Sequence, residues 1–269
     1  MLGKRQPCVV SSDQGFTRRI WQSERRTDTA VSMLNTIRHG LPTDRPPLLI
    51  AHGLFGSARN WGVIAKRLST DRQAWHDTHS YADLAADLAQ VIGDTPHDVL
   101  GHSMGGKAAM VLALTDPTRL RRLIVADIAP VAYDHTQAHL IAAMRAVDLS
   151  GVTRRSDAAA QLMQVPDDGT RSFLLQSLDT ADKRWTLNLD TLEAEMPKIL
   201  GFPDLSGTFD GPAFFLSGAE SDYVRPEHRA TIKALFPQAR FARIPDAHHW
   251  LHAEKPREFE AAVRAFLDV

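Results

Sequence analysis

The chain has 269 residues, 43% of them hydrophobic and 23% charged, enough for one large α/β domain or two small ones around a sizeable core. Lys and Arg total 31 against 32 Asp and Glu, and this formal charge of −1 gives no electrostatic case for nucleic acid or an anionic membrane surface. The single cysteine, Cys8, excludes an intrachain disulfide, and no apolar run approaches the roughly 18 residues that span a bilayer, so the composition reads as a cytoplasmic protein without membrane insertion.

Residues 1–32 show no period of 2 or 3.6 and carry Lys4, Arg5, Arg18, Arg19, Arg25 and Arg26 against Asp13, Glu24 and Asp28. They lack the apolar core of a secretory signal and read as a disordered leader, with the folded part beginning at Met33. Residues 33–40 alternate weakly, as an edge strand does. PLLIAHG, residues 47–53, is a continuous apolar run and predicts a strand buried on both faces. A helix is expected over 61–68. The next helix, YADLAADLAQVI, is clear, with Leu84, Leu88, Val91 and Ile92 on one face. Between these helices nothing in STDRQAWHDTHS reads as a strand, although right-handed crossovers in a doubly wound sheet call for one.

The chain is organised around residues 98–106, DVLGHSMGG: an apolar strand end, a sharp turn carrying Ser103, and a helix of small residues. Gly101-His102-Ser103-Met104-Gly105 fits G-x-S-x-G, the nucleophile elbow of the α/β-hydrolase fold. The chemistry explains the spacing. A serine at the tip of a strand-to-helix turn projects its hydroxyl clear of the backbone. Its neighbours two residues away must be small, because strand and helix nearly collide there. The helix aims its first N–H groups at developing negative charge. His52-Gly53, at the end of an earlier apolar strand, fits the partner loop, so the N–H groups of Leu54 and Met104 form the candidate oxyanion hole. Lys107 reads as a residue on the helix surface.

LIVAD ends at Asp127, on the rim where α/β sheets bind ligands. Residues 135–200 then form a run of helical pieces too long for an ordinary connection. Another strand within 211–224 leads to a loop holding Asp222. The last segment gives a strand, a loop with three competing histidines, His248, His249 and His252, and a terminal amphipathic helix with Pro256 near its start.

HGLFGSARNWG, GHSMGGKAAM, ADIAPVAY and HHWLHAEKP together resemble the α/β-hydrolase esterases of the YbfF/ABHD11-like group, over nearly the whole chain outside the leader. The resemblance implies a mostly parallel, doubly wound sheet with a helical cap at 133–205, the core being 33–132 and 206–269. Met144, Met163, Phe173 and Trp185 are then candidate acyl-pocket walls. In that group a strand and a loop similar to D-x-R-N-H-G-x-S lie between the two helices. Here Asp71-Arg72-Gln73 runs straight into Ala74-Trp75-His76, so one expected strand is missing between Gln73 and Trp75. The group's G-H-W-x-H-A-E-K-P puts the base at His249, with His248 standing where glycine is usual. The acid is Asp127 or, as the alternative, Asp222, which lies one residue past the common position at Ser221.

The expected function is a serine carboxylesterase in which Ser103, His249 and Asp127 act as a triad, and the resemblance implies short- to medium-chain esters, with acyl thioesters also admitted. Candidate substrate contacts are His52, Gly53, Phe55, His102, Trp185 and Trp250. Two other readings keep the fold: the same triad used for C–C hydrolysis or perhydrolysis, and an inactive binding protein. The 12 histidines include no H-E-x-x-H, and no G-x-G-x-x-G or P-loop occurs, so neither metal nor cofactor is expected. The expected partner is a small-molecule ester, with the chain a monomer or homodimer.

Overall fold

The computed structural model describes residues 35–37, 46–56, 71–73, 80–166 and 168–268. The leader and the helix expected at 61–68 lie outside these. Strands β1 (Asn35–Ile37), β2 (Leu48–Ala51), β3 (Asp71–Gln73), β4 (His97–His102) and β5 (Leu120–Ala126) occupy the first half, with helices α1 (Tyr81–Ile92) and α2 (Met104–Thr115) on either side of β4. The second half adds β8 (Ala213–Gly218), α8 (His228–Leu235), β9 (Ala239–Ile244), α9 (Leu251–Glu254) and α10 (Pro256–Leu267). The main sheet has five parallel strands in the order β2-β4-β5-β8-β9.

The apolar runs that look continuous in sequence divide cleanly in space, because side chains alternate across a strand. Leu49, Val99, Leu123, Val125 and Phe215 face one core, which they share with α1, α2 and α8. Leu48, Ile50, Leu100, Ile124, Phe214 and Leu216 face the other, closed by Phe259, Val263 and Phe266 of α10. Those three recur at the four- and three-residue spacing of a single helical stripe. With helices on both faces, β8 is buried throughout, β4 from Asp98 to His102 and β5 from Leu123 to Ala126, while β9 stands at an edge with Arg240 and Arg243 exposed. Charged side chains on an edge strand discourage pairing with another chain.

The segment in which no strand was expected holds a short one. Asp71–Gln73 pairs antiparallel with Asn35–Ile37 in a separate two-stranded sheet, Asn35 opposite Gln73 and Ile37 opposite Asp71. Three polar residues carry no apolar alternation, so the pattern gave no sign of it. Among the described residues no strand pairs with the outer side of β2.

Between β5 and β8 the chain forms α3 (Ala138–Arg145), α4 (Arg155–Ala159), α5 (Asp168–Leu174), the two-residue strands β6 (Leu178–Asp179) and β7 (Arg184–Trp185), α6 (Leu189–Ala194) and α7 (Met196–Leu200). Helix α5 ends at Leu174. After a 3₁₀ turn at Leu175–Ser177, the Asp179 carboxylate accepts N–H bonds from Ala181 (3.0 Å) and Asp182 (3.1 Å) and turns the chain into the small hairpin.

Candidate active site

Three loops at the carboxyl end of the sheet bring the candidate residues together. Ser103 sits between β4 and α2 at φ 54°, a left-handed conformation rare for a side-chain-bearing residue and found where function demands it. Its N–H donates to the Ala126 carbonyl (3.0 Å), tying the turn to the neighbouring strand. Gly101 and Gly105 make the turn possible: a β-carbon on Gly101 would strike the Gly105 carbonyl, and one on Gly105 the carbonyls of Ala51 and His52. Gly105→Ala should therefore cost about 3 kcal/mol or more, since backbone rather than a flexible side chain must move. Urea unfolding checks this, and a loss under about 1 kcal/mol would contradict it.

Asp127 directly follows β5, fully buried, and also has positive φ, 52°. Its Oδ1 accepts the Gly218 N–H at 3.1 Å, and its Oδ2 accepts the Ser221 hydroxyl and the His249 Nδ1–H, the latter at 2.8 Å. The opposite ring nitrogen, Nε2, lies 3.1 Å from Ser103 Oγ. A carboxylate cannot donate, so Nδ1 carries the proton and Nε2 is left to accept from the serine hydroxyl. Asp222 is exposed, and its carbonyl accepts from Arg225. Ser221, in the position where an acid is common, contributes a hydroxyl to Asp127 instead.

The three histidines of the last loop separate by environment. His248 is exposed: its N–H donates to Glu254 Oε2 (2.8 Å), and its ring Nδ1 lies 3.2 Å from the same oxygen. Glu254 also accepts the Trp250 N–H (3.2 Å), so one carboxylate fixes the loop on both sides of His249. His252 is buried, its ring edge-on to His102 at 4.6 Å. Burial, then His249, lowers its pKa to about 3. His102 is also buried, and its Nε2–H donates to the His249 carbonyl at 2.9 Å. Its pKa too is held well below 6.5, chiefly by burial.

Both buried histidines stay neutral when folded, whereas the unfolded chain takes up protons near pH 6.5. From about pH 6.5 down to about 3 the unfolded state binds the extra protons, so stability falls as pH falls. His252→Leu should consequently lose less stability than wild type between about pH 7 and pH 4, read as urea midpoints. An unchanged acid slope would contradict this.

A cavity of about 340 Å³ opens over Ser103. Leu54, Phe55, Met104, His249 and Trp250 line it from the sheet side, and Leu140, Val165, Phe173, Ile199 and Leu200 from the helical segment. Not every expected contact reaches it. His102 is packed beneath the His249 loop, Gly53 backs onto the His102 ring, and the His52 ring folds onto the Gly53 carbonyl at 3.0 Å. Trp185 donates its indole N–H to the Met144 carbonyl (2.9 Å) inside the helical segment. Met144 is buried in the core, and Met163 is 68% exposed on the surface. Of the four expected walls only Phe173 lines the cavity, packed on Trp250 with ring centroids 4.1 Å apart.

Lys107, expected on the helix surface, is buried. Its ammonium donates to the carbonyls of Leu200 (2.8 Å) and Gly201 (2.6 Å) and lies over the Tyr133 ring at 4.7 Å. Burial lowers its pKa to about 7. The signal was present in sequence: MGGKAAMVLALT is apolar all round, so it has no water-facing side on which a lysine could stand. Among the described residues no three His, Cys, Asp or Glu side chains gather to hold a metal ion, and no helix is long and apolar enough to cross a membrane.

Residues 70–256 match the α/β hydrolase fold family. The chain is 39% identical over 249 residues to the sn-1-specific diacylglycerol lipase ABHD11 of Mus musculus, covering 82% of this chain and 81% of that protein. It is 37% identical over 240 residues to the esterase YbfF of Escherichia coli strain K12, covering 82% and 93%. Among solved structures a marine microorganism esterase superposes with a TM-score of 0.80 at 34% identity, covering 87% of this chain and 99% of that one. The chain thus belongs to the α/β hydrolase fold family and is a carboxylic ester hydrolase.

Proposed function

We propose that this hydrolase is a cofactor-free serine carboxylesterase working through an acyl-enzyme on Ser103. The observation that carries the reading is the unbroken hydrogen-bond path from Asp127 through His249 to Ser103 at the floor of a largely apolar cavity. Ser103 Oγ attacks the acyl carbon as its proton passes to His249 Nε2. Asp127 holds the ring orientation and stabilises the imidazolium. The N–H groups of Leu54 and Met104 receive the oxyanion, the second from the first turn of α2. The imidazolium then protonates the departing alkoxide, and the alcohol leaves. A water, deprotonated by the same nitrogen, attacks the acyl carbon and releases the acid. The residues at 133–205 act as a cap, closing the cavity through α3, α5 and α7.

A volume near the lower end of ligand pockets supports short- to medium-chain acyl groups, with acyl thioesters admitted by the same chemistry. The names of the similar proteins, an esterase and a diacylglycerol lipase, support ester substrates of small-molecule size. The lone cysteine suits a reducing, cytoplasmic setting. A series of p-nitrophenyl esters from acetate to palmitate tests the reading. The expected maximum in kcat/KM falls at about four to eight acyl carbons, with a drop of about tenfold or more at palmitate. A maximum at palmitate, or no turnover along the series, would contradict it.

A further inference from the structure

The candidate base has an aromatic neighbour for which the triad gives no role. Tyr223 lies two residues past Ser221 in the loop after β8, and its ring stacks on the His249 imidazole, centroids 3.9 Å apart and planes 21° from parallel. Its backbone is fixed on both sides. The N–H donates to Ser221 Oγ at 3.3 Å, and the carbonyl accepts the Tyr133 hydroxyl at 2.6 Å. Ser221 in turn donates to the carboxylate oxygen of Asp127 that receives the His249 Nδ1–H. One short loop thereby steadies the acid from one side and covers the face of the base from the other. The phenol oxygen of Tyr223 reaches the entrance of the helical segment, 2.9 Å from His135 Nε2 and accepting from Gln137 Nε2 at 3.3 Å.

The physical consequence depends on the charge of the imidazole. Against a neutral ring the stack is packing. Once His249 has taken the serine proton, a cation faces the negative π-face of tyrosine, an attraction absent in the resting state. Interactions that strengthen only as the reaction proceeds raise kcat rather than binding. The stack also blocks the imidazole from swinging away from Ser103 before it returns the proton to the leaving group. Backbone fixation of Tyr223 supplies the rigidity that such positioning needs.

We infer that Tyr223 is a positioning residue for His249, its ring holding the imidazole in line and favouring the imidazolium formed in both half-reactions. The inference rests on His249 as the base of the proposed mechanism. Its test is the kcat and KM for p-nitrophenyl butyrate of wild type, Tyr223→Phe and Tyr223→Leu, and of Tyr223→Leu combined with His249→Ala. Tyr223→Leu should lower kcat about tenfold or more with KM within about twofold. Tyr223→Phe keeps the π-face, loses the contacts to His135 and Gln137, and should retain at least about a third of kcat. In the His249→Ala background Tyr223→Leu should change the residual rate less than about twofold, because its effect passes through the imidazole. A change confined to KM, a phenylalanine variant as slow as the leucine one, or an equal loss in the His249→Ala background would each overturn the inference. Full activity of His249→Ala alone would instead overturn the base assignment beneath it. Tyr223→Met, which fills similar space without a π-face, takes the place of leucine if that variant does not fold.

Discussion

Ser103→Ala is expected to lower kcat on a p-nitrophenyl ester by about 10⁴-fold or more while the melting temperature shifts by no more than about 2 °C. The geometry separates the two effects. The serine side chain makes its hydrogen bond to His249 Nε2 (3.1 Å), whereas the turn is held by backbone, by Ser103 N–H to Ala126 and Lys107 N–H to Ser103. Alanine at φ 54° is strained no more than serine is, so the elbow should persist without its nucleophile. His249→Ala should match the loss, because members of a triad act as a unit. His248→Ala, at an exposed side chain pairing with Glu254, should keep at least about half of wild-type kcat. An inactive His248 variant beside an active His249 variant would mean that the loop register is off by one.

The second large effect concerns the acid. Asp127→Asn should lower kcat by about 10³- to 10⁴-fold with KM within about threefold. Three donors converge on this carboxylate: Gly218 N–H, Ser221 O–H and His249 Nδ1–H. An amide of the same shape offers one acceptor oxygen; kept on the Gly218 N–H, which cannot accept, it turns the NH2 toward both Ser221 and His249 Nδ1, so the imidazole loses its preferred tautomer as well as its anion. Full burial of Asp127 prevents solvent from compensating. Asp222→Asn, at an exposed side chain, should change kcat less than about twofold. The reverse ranking would move the acid to Asp222.

The parts of the site legible in sequence are those fixed by backbone sterics. G-x-S-x-G demands glycine at 101 and 105 because strand and helix touch there, and the buried apolar runs announced β2, β4, β5 and β8. The choice between Asp127 and Asp222 was not legible, since both follow apolar strands and a shift of one residue in a loop leaves no mark on periodicity. It turns on where Ser221 points. The pocket walls were harder still. Met144, Met163 and Trp185 have the right chemistry, but which face of a short helix or hairpin meets the cavity depends on packing between segments. His102 is a similar case: beside the nucleophile in sequence, its ring meets the His249 loop and does not line the cavity. Tyr223 carried no local motif, since its contact with His249 spans two loops that only the fold brings together.

Everything in the proposed chemistry begins with Ser103 as the nucleophile. Labelling the full chain with a fluorophosphonate and locating the adduct by peptide mass spectrometry tests it directly. A single adduct is expected on the peptide bearing Ser103, with esterase activity lost in proportion to labelling and no adduct in Ser103→Ala. An adduct on any other serine that accounts for the loss, or hydrolysis that continues once Ser103 is fully labelled, would contradict it.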